Sequence, residues 1–288
     1  MMRRTRRTVA LLLAFLLLVG AFGVVLYAPG RVYLFFQRHR IYPAPDMERL
    51  PTNAEYQSVT PEDLLADPRV KKTNTLMLVN ADHPLPEDYR PMLTEYRSIE
   101  LHPDAVTPFK ALSEDVQRWT REHLLVTDDY RTREEQEKLL SESPEGIAAE
   151  VGCSEHEAGL ALDVCVKGFG GQSFLKTPAG IYTNLFCARY GFIIRYPMGK
   201  EALTGISYEP WHLRYVGEPH ARLMAKSGLT LEEYIDLLTL GVWFRIDGAL
   251  VCRTSERGMT LPSGVEWERC EISPDNLGYY VLTLYPKA

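Results

Sequence analysis

Between Val9 and Ala28 the chain carries no charged residue, and Arg3, Arg4, Arg6 and Arg7 stand just ahead of that run. Twenty helical residues at about 1.5 Å each reach roughly 30 Å, the depth of a bilayer's hydrocarbon core. The segment is therefore expected to cross a membrane rather than to join a soluble core. Arginines in front of such a run hold the N-terminus in the cytoplasm, so everything after Ala28 is expected outside. Two outcomes stay open. The run is an uncleaved anchor, or it is a signal peptide cut at Val19-Gly20-Ala21 or Ala21-Phe22-Gly23, where small residues offer a cleavage site.

That address bears on charge and on cysteine. Of the 288 residues, 32 are basic and 38 acidic, a net of −6; with the four leading arginines set aside, residues 29–288 carry 28 basic and 38 acidic groups, a net of −10. So acidic a body argues against nucleic acid as a partner, since phosphate contacts need a basic face. Outside the membrane disulfides are permitted. Of the five cysteines, Cys252 and Cys270 lie 18 residues apart in a β-rich stretch and are the expected pair. There is no Cys-x-x-Cys, hence no support for a ribbon-type zinc site or a thioredoxin motif.

Along the chain, residues 29–60 are rich in proline and mixed charge and are expected to be a stalk between a membrane segment (1–28) and a catalytic unit (61–240). Thr75–Val79 is a short apolar strand candidate. Val106, Phe109, Leu112, Val116 and Trp119 recur at helical spacing from Asp104 to about His123, and Thr132 with Glu135 forms a capping box for a helix through Leu140. Strands are expected at Leu124–Val126, Gly159–Val166, Phe192–Tyr196 and Trp211–Val216, the last two as an antiparallel pair. Helices are expected at Pro178–Tyr190, Pro219–Ser227 and Leu231–Leu240. After Gly241, strand-like runs at Val242–Phe244, Leu250–Cys252 and Tyr279–Leu284, with turns at Asp247-Gly248 and Asn276-Leu277-Gly278, read as a small β-rich appendage over 241–288. Without regular βαβ alternation the fold class is α+β, a small antiparallel central sheet flanked by helices.

Two of the seven histidines keep unusual company. One stretch runs Ser154-Glu155-His156-Glu157-Ala158-Gly159-Leu160-Ala161-Leu162-Asp163; the other runs Glu209-Pro210-Trp211-His212-Leu213-Arg214. A catalytic zinc takes three protein ligands and leaves a position for water. His156, Asp163 and His212 supply such a trio if Gly159 lets the chain turn and the following strand carries Asp163 back. Pro210 marks a strand start, so Glu209 can swing toward the same pocket and serve as a general base.

Ser154-x-His156-x-x-Gly159-x-Ala161-x-Asp163 followed by Glu209-x-x-His212 resembles the signature of VanY-type zinc D-alanyl-D-alanine carboxypeptidases, a LAS-type metallopeptidase group. The likeness spans about residues 75–240 and takes in Leu76–Asn80 with Leu85–Tyr89, Asp129-Tyr130-Arg131, Gly191–Pro197 and Leu229–Tyr234. It implies zinc ligands at His156, Asp163 and His212, a base at Glu209, and Arg131, Gln136 and Ser154 holding the substrate's terminal carboxylate. An exopeptidase must recognise a free carboxylate, which a guanidinium does through a forked pair of charge-assisted bonds. The implied reaction is metal-assisted hydrolysis without an acyl-enzyme, removing a C-terminal D-alanine from a peptidoglycan stem peptide or its lipid-linked precursor. Thr132 stands where many relatives have Ser.

Plainer readings exist for the remaining residues. His39, His83, His102, His123 and His220 lack such company and are expected to be surface or internally satisfied histidines. Arg131 has a rival role as an ion-pair partner of Asp128 or Asp129, and Arg214 is as well suited to a salt bridge as to supporting the site. Ser154 lacks the Gly-x-Ser-x-Gly setting of a serine nucleophile. An L,D-carboxypeptidase, a D-Ala-D-Ala dipeptidase, or a catalytically silent wall-binding protein would present the same motifs, although Glu209 argues against silence.

Overall fold

The computed structural model describes residues 28–51, 54–144 and 148–287. The apolar run expected to cross the membrane lies outside them except for Ala28. Among the described residues no helix is long and apolar enough to cross a membrane.

The chain is α+β. Its centre is a four-stranded antiparallel sheet in the order Leu125–Asp128, Ala161–Cys165, His212–Tyr215, Phe192–Ile194. Leu162, Val164, Phe192, Leu213 and Tyr215 pack with the helix Pro103–Thr120, which contributes Phe109, Leu112 and Val116 as read from the sequence, with Ala105 and, in part, Val106, while Trp119 is exposed. That helix is two to three residues shorter than expected, because Arg121 adopts a left-handed conformation that ends it. The capping box at Thr132 and Glu135 is formed and starts the helix Arg133–Glu142. The Phe192–Ile194 and His212–Tyr215 strands pair as expected, each trimmed at its ends.

A second, six-stranded sheet runs in the order Glu48–Arg49, Trp243–Ile246, Ala249–Thr254, Tyr280–Pro286, Trp267–Pro274, Val70–Lys72, the last pair parallel. Two expectations change here. Residues 29–60 do not stand apart as a stalk: Glu48–Arg49 closes one edge of this sheet, Tyr56–Ser58 pairs with Thr260–Pro262, and Pro29–Arg38 is a helix laid on the body. Gly30 allows that approach, since a Cβ there would lie 2.3 Å from the Leu175 carbonyl oxygen. The region after Gly241 is likewise not a separate appendage, because its sheet recruits strands from residues 48–49 and 70–72. Such distant pairings leave no local pattern in a sequence.

The expected Cys252–Cys270 disulfide is absent, and both thiols are free and buried. Cys252 pairs with Leu282 and Cys270 with Leu284 on opposite sides of the same intervening strand. Two strand spacings of about 4.8 Å exceed the reach of a disulfide.

Thr75–Val79 is not a strand but a buried irregular segment. Its backbone groups are met by side chains and loops instead of a ladder, as buried polar groups must be. Arg214 Nη2 donates to the carbonyls of Thr75 and Met77, Leu76 N–H donates to Ser273 Oγ, Leu78 N–H to the Asp275 carbonyl, and Asn276 Nδ2 to the Leu78 carbonyl. Its apolar character reflects burial between the two sheets, not strand formation.

Candidate active site

Asp163 and His212 face each other in register across adjacent strands. Directly opposed residues on one sheet face hold their Cβ atoms about 5 Å apart, which brings carboxylate and imidazole together without any loop. His156 arrives from the other side, on a run of tight turns from Ser154 to Gly159 in which the N–H groups of Glu157, Ala158 and Gly159 donate to the carbonyls of Ser154, Glu155 and His156. Gly159 has φ +67°, and a Cβ there would lie 2.5 Å from Leu93 Cδ2. Glycine is favoured where the chain reverses from His156 into the strand bearing Asp163, because any other residue there would be strained and would press on Leu93.

The three expected ligands converge. Asp163 Oδ1 lies 3.0 Å from His212 Nδ1 and 3.5 Å from His156 Nε2. One donor atom from each residue lies within 4.8 Å of the others. The two imidazoles present opposite nitrogens. His156 anchors Nδ1 on the Asp129 carbonyl oxygen at 2.7 Å and turns Nε2 inward. His212 turns Nδ1 inward and points Nε2 at Glu155 Oε2, 3.6 Å away. Asp163 Oδ1 is buried and has no hydrogen-bond partner among the described residues. Burial works against its charge, yet the two imidazoles hold the carboxyl well below the usual carboxylate range. Burial likewise opposes charge on His212, but the carboxylates of Asp163 and Glu155 outweigh it and raise the ring to about 9. A carboxylate oxygen flanked by two inward imidazole nitrogens is a donor set suited to a divalent ion of the zinc type.

Glu209 lies at the mouth of this cluster. Its N–H donates to the Tyr196 carbonyl and its own carbonyl accepts from His212 N–H, forming the turn into the strand. Its carboxylate is 3.8 Å from His212 Nδ1. Burial, assisted by the nearby Asp163 charge, pushes its carboxyl up from the ordinary glutamate value despite the neighbouring imidazoles.

Arg131 and Gln136 are also brought together. Arg131 Nη1 donates to Gln136 Oε1, and Gln136, wholly buried, donates from Nε2 to the Ala149 carbonyl at 2.7 Å. Arg131 Nη2 is at the same time paired with Asp128, the ion-pair role weighed as its alternative. Ser154 is buried, and its Oγ accepts from His156 N–H at 3.3 Å.

Sequence reasoning gave Glu155 no role, and it is the central omission. It is fully buried and joined at 2.6 Å to the guanidinium groups of both Arg195 and Arg214. Its position beside His156 was the only available signal. Of the other histidines, His220 is internally satisfied, with Nδ1 against the Tyr234 hydroxyl at 2.6 Å and Nε2 against Thr283 Oγ1 at 3.1 Å. His102 Nδ1 accepts from Asp104 N–H and caps a helix, while its buried Nε2 has no partner among the described residues.

Comparison with known proteins sets the chain beside D-alanyl-D-alanine carboxypeptidases. A family model described as VanY, D-alanyl-D-alanine carboxypeptidase, matches residues 98–218. The chain is 36% identical over 187 residues to the bifunctional D-Ala-D-Ala dipeptidase and D-Ala-D-Ala carboxypeptidase VanXYC of Enterococcus gallinarum, covering 57% of this chain and 95% of that protein. It is 29% identical over 303 residues to a D-alanyl-D-alanine carboxypeptidase of Enterococcus faecium, covering 96% of this chain and 95% of the relative. That similarity extends past both limits of the 75–240 span marked by the motifs. A zinc-bound variant of the D,D-pentapeptidase VanY from a VanB-type vancomycin resistance cassette superposes with a TM-score of 0.51 at 29% identity, over 56% of this chain and 98% of that one.

Proposed function

Because the chain belongs to the VanY-type D-alanyl-D-alanine carboxypeptidases, we propose that it removes the C-terminal D-alanine from peptidoglycan stem peptides, with zinc held by His156, Asp163 and His212. The observation that carries this reading is the buried Asp163 Oδ1 set between two inward imidazole nitrogens. A zinc ion there would supply Lewis-acid activation of a water and of the scissile carbonyl.

The chain's own groups do the rest. Glu209, raised by burial, takes the proton of the attacking water and returns it to the departing amine. Arg131 binds the free carboxylate of the terminal residue, and Gln136 and Asp128 fix the plane of its guanidinium. The Ser154 hydroxyl accepts from His156 N–H, which leaves its own proton for a second carboxylate contact. No side-chain nucleophile is needed, so β-lactams are not expected to acylate the enzyme.

The enzyme is proposed to act outside the cell on a single N-terminal membrane tether, where nascent wall or lipid-linked precursor is within reach. The uncharged run Val9–Ala28 and the arginines before it support this. So do Phe35, Phe36 and Ile41, which are exposed just after the run and stand among Arg31, Arg38 and Arg40, a composition suited to an anionic lipid surface.

Incubating the enzyme with a stem pentapeptide, a stem tetrapeptide and free D-Ala-D-Ala, with and without a chelator, tests the substrate assignment. Release of a single D-alanine from the pentapeptide, abolished by the chelator and restored by zinc, is expected. Cleavage of the tetrapeptide alone would reassign it as an L,D-carboxypeptidase, and cleavage of the free dipeptide alone as a dipeptidase.

A further inference from the structure

Glu155 follows Ser154 and precedes His156, yet its side chain serves the other histidine. Oε1 is taken twice, by Arg195 Nε–H and by Arg214 Nη1–H, each at 2.6 Å. Among the described residues Oε2 has no hydrogen-bond partner, and 3.6 Å away lies His212 Nε2, which also has none. Two buried polar atoms without partners are costly apart, and here they face each other. A proton on Nε2 with Oε2 as its acceptor would pair the two across that gap.

We propose that Glu155 is a positioning residue that takes the Nε2 proton of His212 and thereby directs the Nδ1 lone pair at the metal position. The inference rests on the reading of His156, Asp163 and His212 as ligands. His156 solves the same problem differently, donating Nδ1–H to the Asp129 carbonyl. A carboxylate acceptor makes the imidazole a stronger ligand than a carbonyl does, so His212 is the more tightly tuned of the pair.

The surroundings keep that carboxylate ionised in a dry site. Two guanidinium groups at 2.6 Å from one oxygen stabilise the anionic form of a wholly buried carboxylate. Each arginine is itself engaged. Arg195 donates to both oxygens of Glu232, at 3.0 and 2.6 Å, and Arg214 donates to the Thr75 and Met77 carbonyls, at 3.1 and 2.7 Å. Two carboxylates and two guanidiniums leave the array neutral, as a buried charge network requires. His212 is thus tied, through Glu155, to the irregular Thr75–Val79 segment and to the helix Leu231–Leu237.

Glu155→Gln gives a sharp test, because both arginines demand the amide oxygen at the Oε1 position. The amide NH2 then faces His212 Nε2, donor against donor, and the wrong tautomer is favoured. Two readouts are needed on the full chain: zinc affinity by chelator competition, and the nitrogen-15 spectrum of the imidazoles in the zinc-loaded protein. The wild type should show a slowly exchanging, downfield His212 proton on Nε2. Glu155→Gln should lose that signal and bind zinc about 10- to 100-fold more weakly, with Glu155→Asp between the two. Zinc affinity within twofold of wild type in Glu155→Gln, or a wild-type ring proton on Nδ1, would overturn the proposal. Should Glu155→Gln not fold, the wild-type spectrum decides alone. A wild-type chain that takes up no zinc would overturn the ligand assignment itself, and this inference with it.

Discussion

Asp163 and His212 are cross-strand partners in register, and their side chains meet at 3.0 Å between Oδ1 and Nδ1. Two of the three proposed ligands are thus set by sheet pairing, where a one-residue slip of either strand would turn its side chain to the other face. The proposed third ligand and the proposed base come from turns that enter these strands: His156 through Gly159, and Glu209 through the turn at Pro210.

Glu209→Ala should keep its zinc and lose turnover. General-base catalysis contributes about 10²- to 10⁴-fold, so a fall in kcat of that order is expected at unchanged metal content. Metal analysis beside pentapeptide hydrolysis checks this, and wild-type activity in the variant would refute the assignment of the base.

Arg131→Lys keeps a positive charge but removes the planar fork. A charged hydrogen bond is worth about 1.5–3 kcal/mol, so kcat/KM for the pentapeptide should fall roughly 10- to 100-fold. The same peptide with an amidated C-terminus should be poor for wild type and no worse for the variant. An unchanged preference for the free carboxylate would show that Arg131 serves only its pair with Asp128.

How much of this was legible beforehand follows from the range of each interaction. The capping box at Thr132, the apolar helical spacing of Phe109, Leu112 and Val116, and the antiparallel pairing of Phe192–Ile194 with His212–Tyr215 are local or nearly so, and the sequence reading anticipated them. The convergence of His156, Asp163 and His212 was readable because motif spacing and resemblance pointed to the same three residues. Val70–Lys72 and Glu48–Arg49 join the outer sheet through partners some two hundred residues away, and nothing in their own composition announces it. The Thr75–Val79 segment misled because burial alone produces an apolar run. Glu155 went unassigned because its partners Arg195 and Arg214 lie 40 and 59 residues away.

The outer sheet should support the catalytic unit through Asn276, whose Nδ2 donates to the Leu78 and His83 carbonyls at 3.0 Å each. Asn276→Ala leaves those carbonyls short of a donor, and a loss of about 1–3 kcal/mol is expected. Hydrogen exchange should quicken across residues 76–86 first. Uniform behaviour across the chain would contradict a local role.

Two buried histidines predict acid sensitivity. Burial pushes His220 down to about 3, and burial chiefly, opposed by Asp104, takes His102 to about 4. Above about pH 6.5, the ordinary histidine value, folded and unfolded chains are both neutral at these positions and their contribution to stability is intact. As pH falls from there toward 3–4, the unfolded chain takes up protons that the folded one refuses, and stability is lost. Urea unfolding at pH 7.5 and 5.5 should show His220→Gln losing about 1 kcal/mol less than wild type over that interval. An identical loss would remove His220 from the account.

With all five cysteines free, five thiols should titrate in denaturant without reductant. Burial pushes Cys252 and Cys270 up to about 12, so both should resist alkylation in the folded protein. A count of three would restore the disulfide read from the sequence.

The most direct measurement is zinc stoichiometry by elemental analysis on the full chain and on Asp163→Asn, which keeps the side chain's shape and removes its charge. The expected result is one zinc per wild-type chain and almost none in the variant, with both folded by circular dichroism. A wild-type chain without zinc, or equal zinc in the two proteins, would contradict the convergence of His156, Asp163 and His212 on one ion.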